Sequence, residues 1–427
     1  MCTQAEVPVR SKRHQYRNLL SLVTAALIAF FTLFLLQEAG AGEFEIHPAV
    51  RVIEEYNDNV FLTREDRVDD FITRAIPSLA LKYSAPLWTW DVSYALDYMH
   101  YAKGSRGDDT THNLVAKGTI ELLKERLFIK LNDDYGRVSL DVTRDFTRES
   151  SFVGQSDRNI FVANPYYIIR PAERSRITVG YIYSKTWYEE QGAVNKTDNV
   201  IYVEPAYDLT PRLTLNAGFR HTDNSNDKND YTKNDVYLES RYEYADKSHA
   251  FLRVGNTWLN FTGVKKYSNI FWNAGVTHDF ILFTGTLLVS MDYSEDPLGA
   301  LIRENTYLAG VRADFSRTKA NLTLAATQFK NAETRRTTTT KYGAGGSIIY
   351  ELTLRTTGTF DFLAERLEEE VADTYRRRYV LGGKLDYLLW KDFTASLAYH
   401  YVDSYSPKLE GDTYSANRFF LELRKSF

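Results

Sequence analysis

The feature that most constrains this chain is a pattern that recurs from Phe44 to the C-terminus: stretches of alternating apolar and polar residues, each followed by a polar break. In WTWDVSYALDYMH, Trp90 and Val92 share one face, whereas Asp91 and Ser93 share the other. A period of two is that of a β-strand, because successive side chains of a strand point to opposite faces. The pattern recurs in about twenty segments, so the sequence predicts an all-β fold.

The breaks between the segments alternate in length. Long polar breaks such as EEQGAVNKTD and TDNSNDKND follow the odd-numbered segments, and tight ones such as SAPL and ADKS follow the even-numbered ones. A β-sandwich or a propeller has no reason to alternate its loops, whereas a transmembrane barrel has short periplasmic turns and long outer loops. Aromatic residues near segment ends, such as Trp88 and Trp390, match the girdles of such barrels. The sequence predicts a single antiparallel, up-and-down transmembrane β-barrel of about 20 strands, with about 18 as the alternative.

The N-terminus carries the one long apolar run. Basic residues precede Leu19–Leu36, and the small residues Ala39-Gly40-Ala41 follow it. This order is typical of a secretory signal peptide. An uncleaved membrane anchor is the alternative, because a run of about 18 residues is near the lower limit for a span. We predict a signal peptide at 1–41 and a barrel at 42–427, located in the outer membrane of a Gram-negative cell and surrounded by its lipid.

The last segment, NRFFLELRKSF, ends on an aromatic residue. Phe427, Leu423, Leu421 and Phe419 share one face, with Lys425 as a charged interruption. Every backbone polar group in lipid needs a partner, so we predict that this strand closes the barrel against the first strand. The four apolar residues resemble the C-terminal signature by which the barrel assembly machinery recognises outer-membrane proteins. We therefore predict that they form an assembly signature.

Composition and spacing argue against several classes of function. The single cysteine, Cys2, lies in the predicted signal peptide, so no disulfide, thiol nucleophile or cysteine metal site is expected in the mature chain. The histidines lack metal-ligand spacing, and no catalytic motif accompanies His221 or His400. The net charge of −4 argues against a nucleic-acid partner. We expect a protein that is not an enzyme and that has no catalytic site, cofactor or metal.

The faces predicted to point into the lumen carry more basic than acidic residues, with Arg212 and Arg355 among the basic ones. Near the C-terminus we predict a basic wall formed by Arg376, Arg378, Lys384, Arg418 and Arg424. Rings of basic side chains favour anions, so such a wall suits an anionic solute or polysaccharide. The alternative is that these residues only pair with acids on neighbouring strands and stiffen the barrel.

The first predicted strand and loop, EEYNDNVFLTREDRVDDFITRAIPSLALKYS (Glu54–Ser84), carry a family resemblance. Through Tyr56–Phe61, Asp69-Asp70-Phe71 and Pro77, this segment resembles the opening of the β-barrel porin type 2 family. Members of that family often belong to exopolysaccharide export systems. The resemblance implies a large outer-membrane barrel that passes a surface polysaccharide, beside a polysaccharide export protein. Family likeness gives function only by analogy.

Two other functions stay open. A general diffusion porin for small, anionic solutes would fold a long loop into its lumen, whereas a polymer exporter would have a wide, open, charged lumen. The longest break, RVSLDVTRDFTRESSFVGQSD (137–157), is the candidate for such a loop. The third hypothesis is an outer-membrane enzyme or adhesin, and an enzyme would need a catalytic cluster at the rim.

We expect the mature protein to begin at Gly42, because signal peptidase cleaves after a small-residue site. N-terminal sequencing of protein purified from outer-membrane fractions checks this. Recovery of the full-length chain from the inner membrane, with Leu19–Leu36 intact, would contradict the prediction.

Overall fold

The computed structural model describes residues 42–427 except 144, 148, 229, 262–265, 296, 300 and 333–335. The predicted signal peptide therefore lies outside the described residues. The described chain forms twenty strands and a short 3-10 helix at Glu410–Asp412. No helix in these residues is both long and apolar enough to cross a membrane. The strands are β1 (Glu43–Asn57), β2 (Asp70–Ala85), β3 (Trp88–Tyr101), β4 (Asp109–Leu123), β5 (Leu127–Ser139), β6 (Gln155–Ala172), β7 (Ser175–Tyr188), β8 (Lys196–Thr210), β9 (Leu213–Asn226), β10 (Tyr231–Ala245), β11 (Ser248–Phe261), β12 (Tyr267–Asp279), β13 (Thr284–Glu295), β14 (Leu301–Asp314), β15 (Thr318–Asn331), β16 (Thr337–Glu351), β17 (Thr356–Glu369), β18 (Thr374–Trp390), β19 (Phe393–Tyr405) and β20 (Tyr414–Ser426).

The strands form one closed antiparallel sheet. Each strand pairs with its neighbours in sequence, and β20 pairs with β1 from Ala49 opposite Ser426 to Asn57 opposite Arg418. We call this β1–β20 pairing the seam. The backbone N–H of Phe427 extends it by donating to the Pro48 carbonyl at 2.9 Å. The predicted up-and-down barrel of about 20 strands is confirmed, including its closure by the last strand.

The outward face of the wall is apolar. Leu238, Leu287 and Ile270 are 60–70% exposed, and Phe419, Leu421 and Leu423 of the predicted assembly signature also point outward. Residues that pair across two strands share a face, so Val289 lies outward opposite Tyr307, and Ser290 lies inward opposite Thr306. An apolar exterior around a closed sheet is the arrangement that lipid requires.

The two ends of the barrel differ in their connections. Two-residue turns such as 86–87 and 246–247 lie at one end, which we call the periplasmic end. The longer connections, among them 58–69 and 140–154, lie at the other, which we call the outer end. Arg212 and Arg355 are in turns at the periplasmic end, so their assignment to lumen-facing strand positions is wrong.

Residues of the Tyr56–Phe61 segment stabilise the pairing of β1 with β20 at the outer end of the barrel. The Asp58 carboxylate accepts hydrogen bonds from the backbone and side-chain N–H groups of Asn417, at 2.7 and 2.6 Å. The Asn59 amide donates to the carbonyl oxygens of Ser415 and Thr63 at 2.9 and 2.7 Å. The segment that carries the family resemblance thus has a structural role: it ties the loop after β1 to β20.

The facing of β13 predicts unequal effects of two neighbouring substitutions. Val289→Arg places a charge in hydrocarbon and should lower the free energy of unfolding by about 2–4 kcal/mol if the site is near the bilayer midplane. Ser290→Arg, the matched control, places the same charge in the lumen and should cost far less. Denaturant titration of each variant refolded into vesicles measures both. Equal losses would mean that the two faces are assigned incorrectly.

Candidate functional site: a loop that crosses the lumen

We call the connection between β5 and β6, residues 140–154, the inner loop. Its described residues, 140–143, 145–147 and 149–154, fold into the barrel. Its Thr143 carbonyl accepts a hydrogen bond from Lys341 of β16 at 3.0 Å. Its Asp145 carbonyl accepts one from Arg378 of β18 at 3.0 Å. Since β16 and β18 are far from β5 around the wall, the loop crosses the lumen.

A buried ion-pair network holds the middle of the inner loop. The Arg378 guanidinium, 2% exposed, bonds to Glu149 of the loop and lies 2.5 Å from Glu365 of β17. The Tyr414 hydroxyl also donates to Glu149. Lys341 lies 2.6 Å from Glu365, so two cations balance two carboxylates. Such charges are tolerated away from water only when opposite charges pair, as they do here.

Apolar side chains of the inner loop pack against the barrel on either side of that network. Phe146 and Val153 pack against a buried cluster on the wall and the first outer loop, made of Leu62, Val380, Val402, Tyr414 and Ala416. Phe152 packs against a second cluster, made of Val60, Ile72, Met99 and Tyr101. The Arg106 guanidinium covers the Phe152 ring at 4.2 Å from its centre. The loop is therefore fixed at two places on the wall, by packing and by charge.

A cavity of about 990 Å³ adjoins the inner loop, bounded by its Val142 and Thr147. One wall, on β15 and β16, has small side chains, among them Thr323, Ala325, Gly343, Gly345 and Ser347. The lining also includes three basic residues, Arg74, Lys341 and Arg418, and three acidic ones, Glu304, Asp361 and Glu365. The cavity is polar, and the formal charges of its described lining residues balance.

The five residues of the predicted basic wall point inward but lie at different heights. Arg376 and Arg378 are near the outer end of β18, and Arg424 is near the periplasmic end of β20. Four of the five pair with acids: Arg376 with Glu369 at 2.7 Å, Arg378 as described, Lys384 with Asp386 at 2.9 Å, and Arg418 with Glu55 at 2.7 Å. Arg424 is exposed and lies opposite Arg51. Acids therefore offset four of the five charges of the predicted basic wall.

A further ion-pair ladder crosses the seam between the ends of the chain. Glu55 of β1, 1% exposed, accepts a hydrogen bond from Arg418 of β20 and lies 3.6 Å from Arg74 of β2. Arg74 in turn bonds to Asp97 of β3. Four strands on both sides of the closure are thus linked inside the lumen as well as through their backbones.

Aromatic rings and arginines alternate on the inner wall of β8–β11. The Arg220 guanidinium lies over Tyr202 at 5.9 Å, and that of Arg253 lies over Tyr237 at 4.8 Å. Glu204 accepts a hydrogen bond from the Tyr237 hydroxyl at 2.7 Å. A Cβ added to Gly180 would come within 2.4 Å of the Tyr202 ring, so glycine lets this ring lie flat on the wall. Arg253 also pairs with Glu239 at 2.5 Å, so two glutamates balance the two arginines of this surface.

The loops of the outer mouth are linked by polar contacts. The hydrogen bond from Lys103 lowers the pKa of Asp69, and the same contact raises the pKa of Lys103. Burial, with the neighbouring Asp157, raises the pKa of Glu189. Asp69 belongs to the resemblance segment, and its bond to Lys103 joins the first and second outer loops.

The histidines singled out in the sequence have structural contacts. His221 Nδ1 lies 2.7 Å from the Asn234 side chain, and the His400 ring packs edge-on against Phe420 at 5.2 Å. Among the described residues, no group of three or more His, Cys, Asp or Glu side chains is placed to hold a metal ion.

Sequence reasoning identified the inner loop by its length but missed the residues that hold it. Glu149 is a partner of Arg378, and neither Glu55 nor Tyr414 was assigned a role. A signal was present, because Phe146, Phe152 and Val153 are apolar within a connection that would otherwise be solvated. Apolar residues in a loop indicate that the loop packs against something.

No protein-family model matches the chain, and no curated protein matches it in sequence. The resemblance of Glu54–Ser84 to the β-barrel porin type 2 family therefore stays a prediction. Among solved structures, the chain is similar to the siderophore receptor PirA from Acinetobacter baumannii, with a TM-score of 0.52 and 8% identity over 92% of this chain and 81% of that one. It is also similar to PirA from Pseudomonas aeruginosa, with a TM-score of 0.49 and 11% identity over 90% and 80% of the two chains. For OccK2 (OpdF) from Pseudomonas aeruginosa the TM-score is 0.44, with 10% identity over 90% and 98%. At these identities the likeness to the first of them shows a shared barrel fold and nothing further.

The buried network predicts the effect of Arg378→Met. The substitution leaves Glu149 and Glu365 without their shared cation, and breaking a buried pair in this way costs about 3–5 kcal/mol. We expect the inner loop to detach from the wall. Single-channel conductance and current noise should then rise, and the loop should become accessible to proteases.

Arg170→Gln is the matched control for this experiment, because it removes an exposed arginine whose partner, Glu125, is also exposed. Unchanged conductance and protease resistance in Arg378→Met would show that the ion pair does not hold the loop.

Proposed function

We propose that this protein is a passive diffusion channel for small hydrophilic solutes, with the inner loop as its constriction. The observation that carries the proposal is the crossing of the lumen by residues 140–154, anchored on β16 and β18. A pore that must pass a polymer chain needs an unobstructed lumen. A pore that sieves small solutes needs an obstruction held in a fixed position, and packing and buried charge hold this one.

The lining favours uncharged or weakly charged polar solutes. The cavity beside the loop contains equal numbers of the acidic and basic residues named above, together with hydroxyl and glycine positions. Rings of one sign of charge select ions, and paired charges do so weakly. The proposal therefore departs from the anionic solute that the sequence suggested.

Passage of a surface polysaccharide is the second candidate, and the resemblance of Glu54–Ser84 supports it. In this alternative the inner loop would have to leave its seat during export, helped by a polysaccharide export protein at the periplasmic end. The basic wall would then hold an anionic polymer weakly at many sites, as the sequence hypothesis states. Loss of surface polysaccharide in cells lacking the protein would favour this second candidate.

The diffusion proposal predicts what replacing the inner loop does. With residues 141–153 replaced by a short Gly-Ser linker, planar-bilayer conductance should rise severalfold, because the lumen loses its obstruction. In liposome-swelling assays, wild type should admit monosaccharides and exclude large oligosaccharides, and the loop variant should admit both. Wild type should also show a reversal potential near zero in a salt gradient.

The control is the same linker in place of the exposed loop 370–373, which leaves the constriction intact. Free passage of large oligosaccharides through wild-type protein would overturn the proposal. Strong anion selectivity of wild type would overturn the charge-balance argument and restore the basic wall.

A further inference from the structure

The outward face of β14–β17 has a groove where a lipid-facing barrel usually has bulky side chains. Its floor is formed by alanines on four successive strands: Ala309, Ala326, Ala344 and Ala364. Backbone register places Ala344 directly beside Ala364, and Ala326 beside Tyr307 and Tyr342. The groove has a volume of about 830 Å³, and its sides include Leu287, Tyr342 and Tyr379. It is apolar and faces the bilayer.

Cations lie at the outer end of this groove. Arg366 and Arg377 line it and are cross-strand partners on β17 and β18. Their guanidinium groups lie over Tyr375 and Tyr405, at 4.9 and 4.7 Å. Like charges directly opposite one another destabilise a sheet, so this pair needs an anion nearby. Glu368, 3.0 Å from Arg366, offsets one of the two charges.

A second outward pair of like charges lies at the same end of the barrel, on β14 and β15. Arg303 of β14 and Lys330 of β15 are cross-strand partners, and no described carboxylate forms an ion pair with either of them. The Nε of Arg303 is buried and has no hydrogen-bond partner among the described residues, and the same holds for Oδ1 of Asn305. All four cations lie within three residues of the outer ends of their strands. A buried donor without a partner indicates a missing acceptor.

We propose that the groove, with its lining residues Arg366 and Arg377 and the more distant Arg303 and Lys330, binds a phosphorylated glycolipid of the outer leaflet. Its acyl chains lie on the alanine floor, one phosphate bonds to Arg366 and Arg377, and a second bonds to Arg303 and Lys330. Three strand spacings, about 14 Å, separate the two pairs, which suits a disaccharide headgroup with a phosphate at each end. Arginine binds phosphate with paired, charge-assisted hydrogen bonds.

Two features favour this occupant over a single-phosphate phospholipid or free phosphate. A phospholipid has one anionic group and would leave one like-charge pair without its counter-ion. Free phosphate has no acyl chains and would leave the apolar groove unused. The proposal does not depend on what passes through the lumen, since all the residues concerned face outward.

The test is native mass spectrometry of the mature protein in detergent, with purified bis-phosphorylated lipid A, its monophosphoryl form, phosphatidylglycerol or inorganic phosphate added. Wild type should retain bis-phosphorylated lipid A most tightly. Arg366→Gln with Arg377→Gln, and Arg303→Gln with Lys330→Gln, should each weaken retention about tenfold or more, because each loses a charge-assisted phosphate contact. Ala326→Leu with Ala344→Leu should weaken it by filling the groove. Lys185→Gln, an outward cation on the distant β7, is the control and should change nothing.

Heat-modifiable gel mobility shows that each variant is folded. Equal retention of monophosphoryl lipid A or phosphatidylglycerol would overturn a two-phosphate site. If inorganic phosphate competes with lipid A at a similar concentration, the site binds free anions and the proposed lipid ligand is wrong. Unchanged retention in the folded double variants would overturn the proposal as a whole.

Discussion

Closure of the sheet is the constraint on which the rest of this structure depends. A β-strand in hydrocarbon has no water to bond to, so a free edge would leave a row of backbone groups unpaired. The seam between β1 and β20 removes that edge, and it is reinforced beyond its backbone bonds. Phe427 bonds to Pro48 at one end, Asp58 and Asn59 bind β20 at the other, and Arg418 pairs with Glu55 inside. Every other feature of the lumen is built on a wall that this seam keeps closed.

Apolar packing and ion pairs hold the inner loop in different ways. Burying an apolar side chain of this size contributes roughly 1.5–3 kcal/mol, so Phe146, Phe152 and Val153 supply the attraction. The network of Arg378, Glu149 and Glu365 adds less, because desolvation cancels much of its Coulomb energy. The ion pairs instead determine where the loop lies in the lumen. Because Arg378 must lie between Glu149 and Glu365, it restricts the position of the loop more than apolar contacts do, since those have no preferred direction.

The sequence predicted the wall well and the lumen poorly, for a physical reason. Alternation along a strand reports which face meets lipid, and segments such as 88–100 and 417–427 carry that signal within themselves. Partners across the lumen are far apart in sequence: Arg378 and Glu149 belong to different halves of the chain. No local pattern shows that an inward arginine meets an acid on a loop, so the sequence could not decide between an unpaired basic wall and paired charges. Arg212 and Arg355 were misassigned because the alternation was extended past the ends of strands.

The contacts of the inner loop also set an order of events. The loop follows β5, but its partners Lys341, Arg378 and Tyr414 belong to β16, β18 and β20, the last part of the chain to be made. The loop has no seat until those strands are in place. The obstruction is therefore completed no earlier than the C-terminal strands of the wall. Until the loop reaches that position, the lumen lacks the constriction of the finished barrel.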